Sequence, residues 1–460
     1  MGAEVHAASL PPPTRARARP RWQRLFSPVD GSSLAVFRVI FGAIMLVEVC
    51  RYSSHEWIRS YYIDPPFHFT YYGFGWVKPW PGAGMYWHFA AMGLASAGVM
   101  LGAWYRFSAV LLFVTFTYVF LLDQAYYLNH FYMICLLSLL MIFIPANRLF
   151  SIDARRNPAR QSDDVPAWAR WLLLAQLSIV YFYAGLAKLN EDWFHGEPMR
   201  SWLAERVNTP LIGRFFTEEW VVGLFNYGGL AFDLFIVPLL LWKRTRVFAF
   251  LWVIAFHLLN MALFNIGIFP WLMLLATLLF FPPNWPRAVF RRWRPVRNEP
   301  SVNHPQFPAV TVGLMAAYII IQLAVPLRHV LYHGSVHWTE EGHRFSWHMK
   351  LRDKQATASF FVTDPRGRQT WEVSPRLYLT ARQAQKMSTR PDMILQMAHH
   401  IARDQAVKRG INHSLEVRAL VMASLHGRDQ QLLVDPTVNL AAEPRSLRPA
   451  RWILRLNQGR

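Results

Sequence analysis

The stretch Trp171-Leu-Leu-Leu-Ala-Gln-Leu-Ser-Ile-Val-Tyr181-Phe-Tyr-Ala-Gly-Leu-Ala-Lys188-Leu-Asn-Glu-Asp-Trp193 runs apolar for the length of a helix and then meets an amine. A bilayer core needs ~20 apolar residues per helix, with ~17 at the lower limit. Residues 171–189 meet that length, and eight other runs resemble them: 33–50, 85–101, 107–122, 131–144, 220–242, 247–264, 269–281 and 309–327. Short polar or Pro-rich breaks separate them. The chain therefore reads as a polytopic α-helical membrane bundle of about nine spans. Composition agrees. Of 460 residues, 53% are hydrophobic and only 17% charged, against roughly 25% charged in soluble domains.

The charge that remains is basic and uneven. A net charge of +20 raises nucleic acid as a partner, but basic residues beside spans account for it more simply, and no nucleic acid is expected. Arginines crowd residues 1–32, the segment around Arg148, Arg155, Arg156, Arg160 and Arg170, the break Lys243-Arg244-Thr-Arg246, and the stretch Arg287, Arg291, Arg292, Arg294 and Arg297. Nine alternating spans put all four on the cytoplasmic side, as the positive-inside rule requires. Residues 1–32 lack the short apolar core of a signal peptide and are expected to form a disordered basic cytoplasmic arm. Residues 33–327 are then the membrane domain. Cys50 and Cys135 form no metal-site or disulfide spacing and are expected to be buried small hydrophobes.

An odd number of spans leaves residues 328–460 outside the cytoplasm, and their pattern changes. Ala356-Thr-Ala-Ser-Phe-Phe-Val-Thr363 alternates, turns at Asp364-Pro-Arg-Gly367, and resumes at Gln369-Thr-Trp-Glu-Val373, a hairpin signal. A helix near 392–408 and strands at 415–422 and 431–434 complete an extracytoplasmic α+β domain.

Polar groups at membrane depth are functional-site candidates by default. Lys188 ends its run. Asp123 ends another, and Asn129-His130 begin the next. His257 and Asn260 lie one turn apart on a shared helix face, with Asn265 just beyond. All fall toward the outer half under the orientation above. Each also has a plainer role: Lys188 snorkelling, with Asp192 one turn on, or His257 and Asn260 bonding neighbouring helices. Arg38 and Glu48 are expected to be structural. No HExxH, CxxC, P-loop or dinucleotide fingerprint appears, so no metal is expected. An amine, imidazoles and amides around an aromatic-lined cavity suit a lipid-soluble proton donor such as a quinol.

At these residues the chain resembles the vitamin K-dependent γ-glutamyl carboxylase family, including bacterial relatives with a horizontally transferred transmembrane domain. The segments that carry the resemblance are Ser33-Leu-Ala-Val-Phe-Arg38 with Phe41-Gly42, Val119-Phe-Leu-Leu-Asp123 with Asn129-His130, and Tyr181-Phe182 with Ala184-Gly185, Lys188-Leu189 and Asp192-Trp193. His257 with Asn260, Trp285-Pro-Arg287, Trp338-Thr339 and Ser346-Trp347 continue it in order. The resemblance implies an integral membrane enzyme, in bacteria of the inner membrane. It would oxidise a reduced vitamin K, phylloquinol or menaquinol, to its epoxide with O2 and use that reaction to fix CO2 onto glutamate side chains of a peptide or protein.

By the same resemblance Lys188 is the weak base that deprotonates the quinol, and His130 belongs to the carboxylation half. Asn129, His257, Asn260, Asp123 and Tyr181 are the candidates for holding the quinol. An amine accepts a proton only when neutral, and apolar surroundings favour the neutral form. Ala187 stands where animal members carry a second lysine. Two alternatives stay open: quinol epoxidation without peptide carboxylation, and a non-catalytic quinone- or lipid-binding membrane protein.

Overall fold

The computed structural model of the chain describes residues 21–264, 266–290 and 309–457. Each of the nine apolar runs is helical: α1 (Ser32–Ser54), α2 (Gly84–Leu101), α3 (Tyr105–Leu122), α4 (Asn129–Phe143), α5 (Ala167–Ala187), α6 (Glu219–Leu241), α7 (Arg246–Leu263), α8 (Phe269–Thr277) and α9 (Ala309–Ala324). Among the described residues six stretches are long and apolar enough to cross a bilayer: α1, α3, α5, α6, α7 and Ala309–Leu331, which continues α9. The expected nine spans are therefore not established by length. α4 has 15 residues, so at ~1.5 Å per residue it reaches about 22 Å of a ~30 Å core. α8 is shorter still, and α2 opens on the polar-edged Tyr86, Trp87 and His88.

α1 packs on α2, α2 on α3 and α3 on α4, while α5 packs on α6 and α7 sits between α6 and α8. α8 returns to α1, and α9 lies on α5. The α1–α2 contact depends on Gly42, where a Cβ would fall 2.5 Å from the Met100 backbone nitrogen. Arg38, fully buried, donates to the carbonyls of Val99, Met100, Ala146 and Phe150 at 2.7–3.1 Å. Its guanidinium braces the end of α2 against the loop after α4, which fits the structural role expected of it. Cys135 is buried, but Cys50 is exposed, because it falls on the outward face of α1.

The expected disordered arm is corrected in part. Residues 21–26 form a 3-10 helix, and β1 (Pro28–Asp30) pairs antiparallel with β2 (Asp164–Pro166). Arg287 secures that ribbon through Asp30 (2.7 Å) and Asp163 (2.5 Å), so the acids in an Arg-rich segment find a cation from elsewhere. Residues 1–20, the basic residues Arg291, Arg292, Arg294 and Arg297, and Asn265 lie outside the described residues.

Beyond α9 the chain builds a four-stranded antiparallel sheet in the order β4-β3-β5-β6, from β3 (Lys354–Asp364), β4 (Gln369–Val373), β5 (Glu416–Leu425) and β6 (Gln431–Leu432). Alternation decides what is buried. Phe360 and Val362 of β3 and Val417, Ala419, Val421, Ala423 and Leu425 of β5 enter the core. α10 (Ala381–Ser388) packs on β3, and α11 (Pro391–Lys408) packs on β5. Gln383 of α10 donates to the Phe67 carbonyl and to Asp123 Oδ2, both at 2.8 Å. Arg390 donates to the Gln124 carbonyl (3.1 Å) and Arg445 to that of Thr70 (2.7 Å). These bonds fix the α+β region to one end of the bundle.

Candidate functional site

Lys188 caps α5, and Gly185 one turn earlier lets α6 come close. A Cβ at Gly185 would fall 2.6 Å from Leu234 Cδ2. That approach sets Asp233 of α6 beside Lys188, with Nζ 2.5 Å from Oδ2 and both side chains buried. Nζ also donates to the Ala184 carbonyl at 3.3 Å and lies 5.2 Å from the centre of the Trp193 ring. Lys188 does not snorkel. Nor does it pair with Asp192, whose Oδ1 accepts from Arg428. Asp233 is passed over in the sequence reading, although an acid inside the run 220–242 is the same kind of signal as Lys188 at the end of its own.

The pair lies on a cavity of about 1050 Å³, just above the ~300–1,000 Å³ usual for small-molecule sites. α6 and α7 supply apolar wall through Leu224, Phe225, Trp252, Phe256 and Leu263, joined by Phe264 just past α7. His257 and Asn260 reach the same cavity from one face of α7, and Asn129 and His130 reach it from the start of α4. Five of the seven sequence candidates therefore share one space.

Their surroundings differ. His257 is 1% exposed, its Nε2 lies 3.3 Å from the Tyr181 hydroxyl, and its Nδ1 has no hydrogen-bond partner among the described residues. Asn260 gives one N–H of its amide to the Phe256 carbonyl (2.8 Å), which leaves the second N–H for the cavity. His130 is half-buried against Phe131 and Phe269, with ring centres at 4.9 and 5.7 Å. Asn129 accepts from the Tyr127 hydroxyl (2.9 Å) and donates to the His348 carbonyl (3.1 Å), so it anchors the segment 343–352 over the cavity.

Two candidates stand off the cavity lining. Tyr181 does not line the cavity but stands behind His257. Asp123 does not line it either. Its oxygens meet Gln383, His68 and the Ala125 and Phe69 amides, so it ties the bundle to α10. Sequence depth places a residue along a helix but does not say which side the helix turns inward.

The opposite wall comes from the α+β region and is cationic. Lys350, Arg352, Arg382, Lys386 and Arg390 line it, joined by Arg51 and by Glu48, which pairs with Arg51 at 2.6 Å. Burial first, and the Arg390 guanidinium second, push Lys386 down to about 8. Burial likewise lowers His348 and His343, which favours the neutral imidazole on this wall. No local motif marks these residues, because the domain that supplies them folds back from more than a hundred positions away. The arrangement can take a proton from a weakly acidic ligand at one side and hold an anion at the other.

A family model described as HTTM domain matches residues 26–285, more than half of the chain. A second, described as vitamin K-dependent gamma-carboxylase, lumenal domain, matches residues 308–459. No solved structure matches the chain.

Proposed function

The chain belongs to the vitamin K-dependent γ-glutamyl carboxylase family, and from that premise we propose that it oxidises reduced vitamin K to the epoxide and carboxylates glutamate with O2 and CO2. The observation that carries the proposal is the buried Lys188–Asp233 pair opening on an apolar cavity. The residues present fit a quinol. The walls are aromatic and aliphatic, and His257 brings to the lining a buried Nδ1 with no partner among the described residues, a group that costs free energy until something bonds to it. Bound there with oxygen, reduced vitamin K supplies the strong base that glutamate γ-deprotonation requires.

The protein's own part is proton handling, orientation and exclusion of water. Lys188 takes the phenolic proton at Nζ, and Asp233 Oδ2 stabilises the ammonium that results. The neutral amine is the form that accepts, and its hydrogen bond to Asp233 keeps the resulting ammonium beside its counter-charge in a low-dielectric site. His257, oriented by Tyr181, and Asn260 hold the quinol oxygens. Arg352, Arg382 and Arg390 stand where an acidic peptide side chain would be drawn in. The segment 343–352 and the apolar walls keep water from a basic centre. His130 serves the carboxylation half.

Purified protein in detergent, given reduced vitamin K, oxygen, labelled bicarbonate and a glutamyl peptide, is expected to form epoxide and fixed label together. His130→Ala is expected to keep epoxide formation and lose most of the label. Equal loss of both would assign His130 to the shared step. Wild type that forms no epoxide at all would sink the proposal.

We further place the enzyme in a bacterial inner membrane, with residues 1–32 as a cytoplasmic arm, 33–327 as the membrane domain and 328–460 outside the cytoplasm. A cysteine at exposed Arg366, in the β3–β4 turn, with Cys50 replaced by serine, tests the orientation. A membrane-impermeant maleimide should label Arg366→Cys in intact spheroplasts. Labelling only after lysis would reverse the topology.

A further inference from the structure

A second polar cluster lies beside the cavity but outside its lining. Asp192 comes from the short helix Glu191–Phe194, four residues past Lys188; His337 comes from Val336–Thr339; His426 directly follows β5. His426 Nε2 faces Asp192 Oδ2 at 3.6 Å. That is too far for a hydrogen bond, and Nε2 has no other partner among the described residues although its side chain is 1% exposed. His337 is also buried, with Nε2 3.3 Å from His348 Nδ1. The ligand atoms of Asp192, His337 and His426 all lie within 4.8 Å of one another.

We propose that Asp192, His337 and His426 hold a divalent transition-metal ion of the Zn²⁺ type, which pins the α+β region to the segment that carries Lys188. Two imidazoles and a carboxylate are a ligand set such ions take, with a further position left for water. With bonds of ~2.0–2.1 Å, neighbouring ligands of a tetrahedral ion sit about 3.4 Å apart. The Asp192–His426 edge of 3.6 Å already matches. The remaining separations, none above 4.8 Å, close by at most roughly 1.4 Å, a side-chain adjustment. Arg428 occupies Asp192 Oδ1 and leaves Oδ2 toward the histidines. The three ligands are scattered along the chain, so no spacing motif announces them.

The test uses the full chain in detergent, stripped with a chelator and titrated with Zn²⁺ or Co²⁺. Zinc is expected to bind once per chain and raise the melting temperature, and cobalt to give visible d–d bands. His426→Ala and Asp192→Asn should each weaken binding by more than the ~10–100-fold that a supporting residue costs. Arg428→Ala, which frees Oδ1, should bind at least as tightly as wild type. Absence of cobalt bands in wild type overturns the proposal, as do bands that survive His426→Ala. If the variants do not fold, wild type decides: a melting temperature indifferent to stripping and to added zinc overturns it. Carboxylation need not occur for any of these readouts.

Discussion

Lys188→Arg is expected to lose epoxide formation and CO2 fixation together, by at least the ~10²–10⁴-fold that a positioned general base contributes. Guanidinium keeps its proton at any physiological pH and cannot act as a base. It still satisfies Asp233 as a cation, so folding and membrane insertion should survive. Lys188→Ala is expected to fail equally, since both products depend on one deprotonated quinol. A small primary amine should restore part of the activity to the alanine variant, because it can occupy the space between Asp233 and the Trp193 ring. It should do nothing for arginine, which fills that space. Epoxide and fixed label are measured in one assay, with melting temperature as the control. A stably inserted Lys188→Arg protein with normal turnover would remove the catalytic assignment of Lys188, and with it most of the proposed chemistry.

What the sequence makes legible divides along physical lines. Apolar runs of helix length locate all nine helices, because burial in lipid leaves a long, local signature. Length alone does not say which of them cross, and α2, α4 and α8 fall short of the criterion met by the other six. Alternation locates the β3–β4 hairpin for the same local reason. The one-turn spacing of His257 and Asn260 predicts a shared face, and both reach the cavity. The other members of the site are non-local. Asp233 meets Lys188 only because Gly185 admits α6, and the cationic wall arrives with the folding of the α+β region. Asp123 has the depth of a ligand-binding residue, yet it faces Gln383 rather than the cavity. A buried polar group is a strong signal that something bonds to it and a weak signal of what.

Asp233 should separate chemistry from stability. In Asp233→Asn the side chain keeps its size and loses its charge, so the ammonium that forms on Lys188 has no counter-charge in a buried site. Turnover of quinol is expected to fall by ~10²–10³-fold, the scale of removing one preorganised electrostatic partner. Breaking a buried pair from one side also costs ~3–5 kcal/mol when the remaining charge stays, and a melting temperature would register that loss. Removing both partners is different. The double variant Lys188→Met/Asp233→Leu fills the same space with apolar groups, and such replacements are neutral or stabilising by ~1–4 kcal/mol. It should therefore melt at or above wild type while forming no epoxide. That combination, more stable and inactive, is what a pair kept for proton transfer predicts. A pair kept only to hold α5 against α6 predicts the reverse: Asp233→Asn would melt early yet turn over normally per folded molecule. That outcome would return Asp233 to a packing role and leave Lys188 without its partner in the reaction.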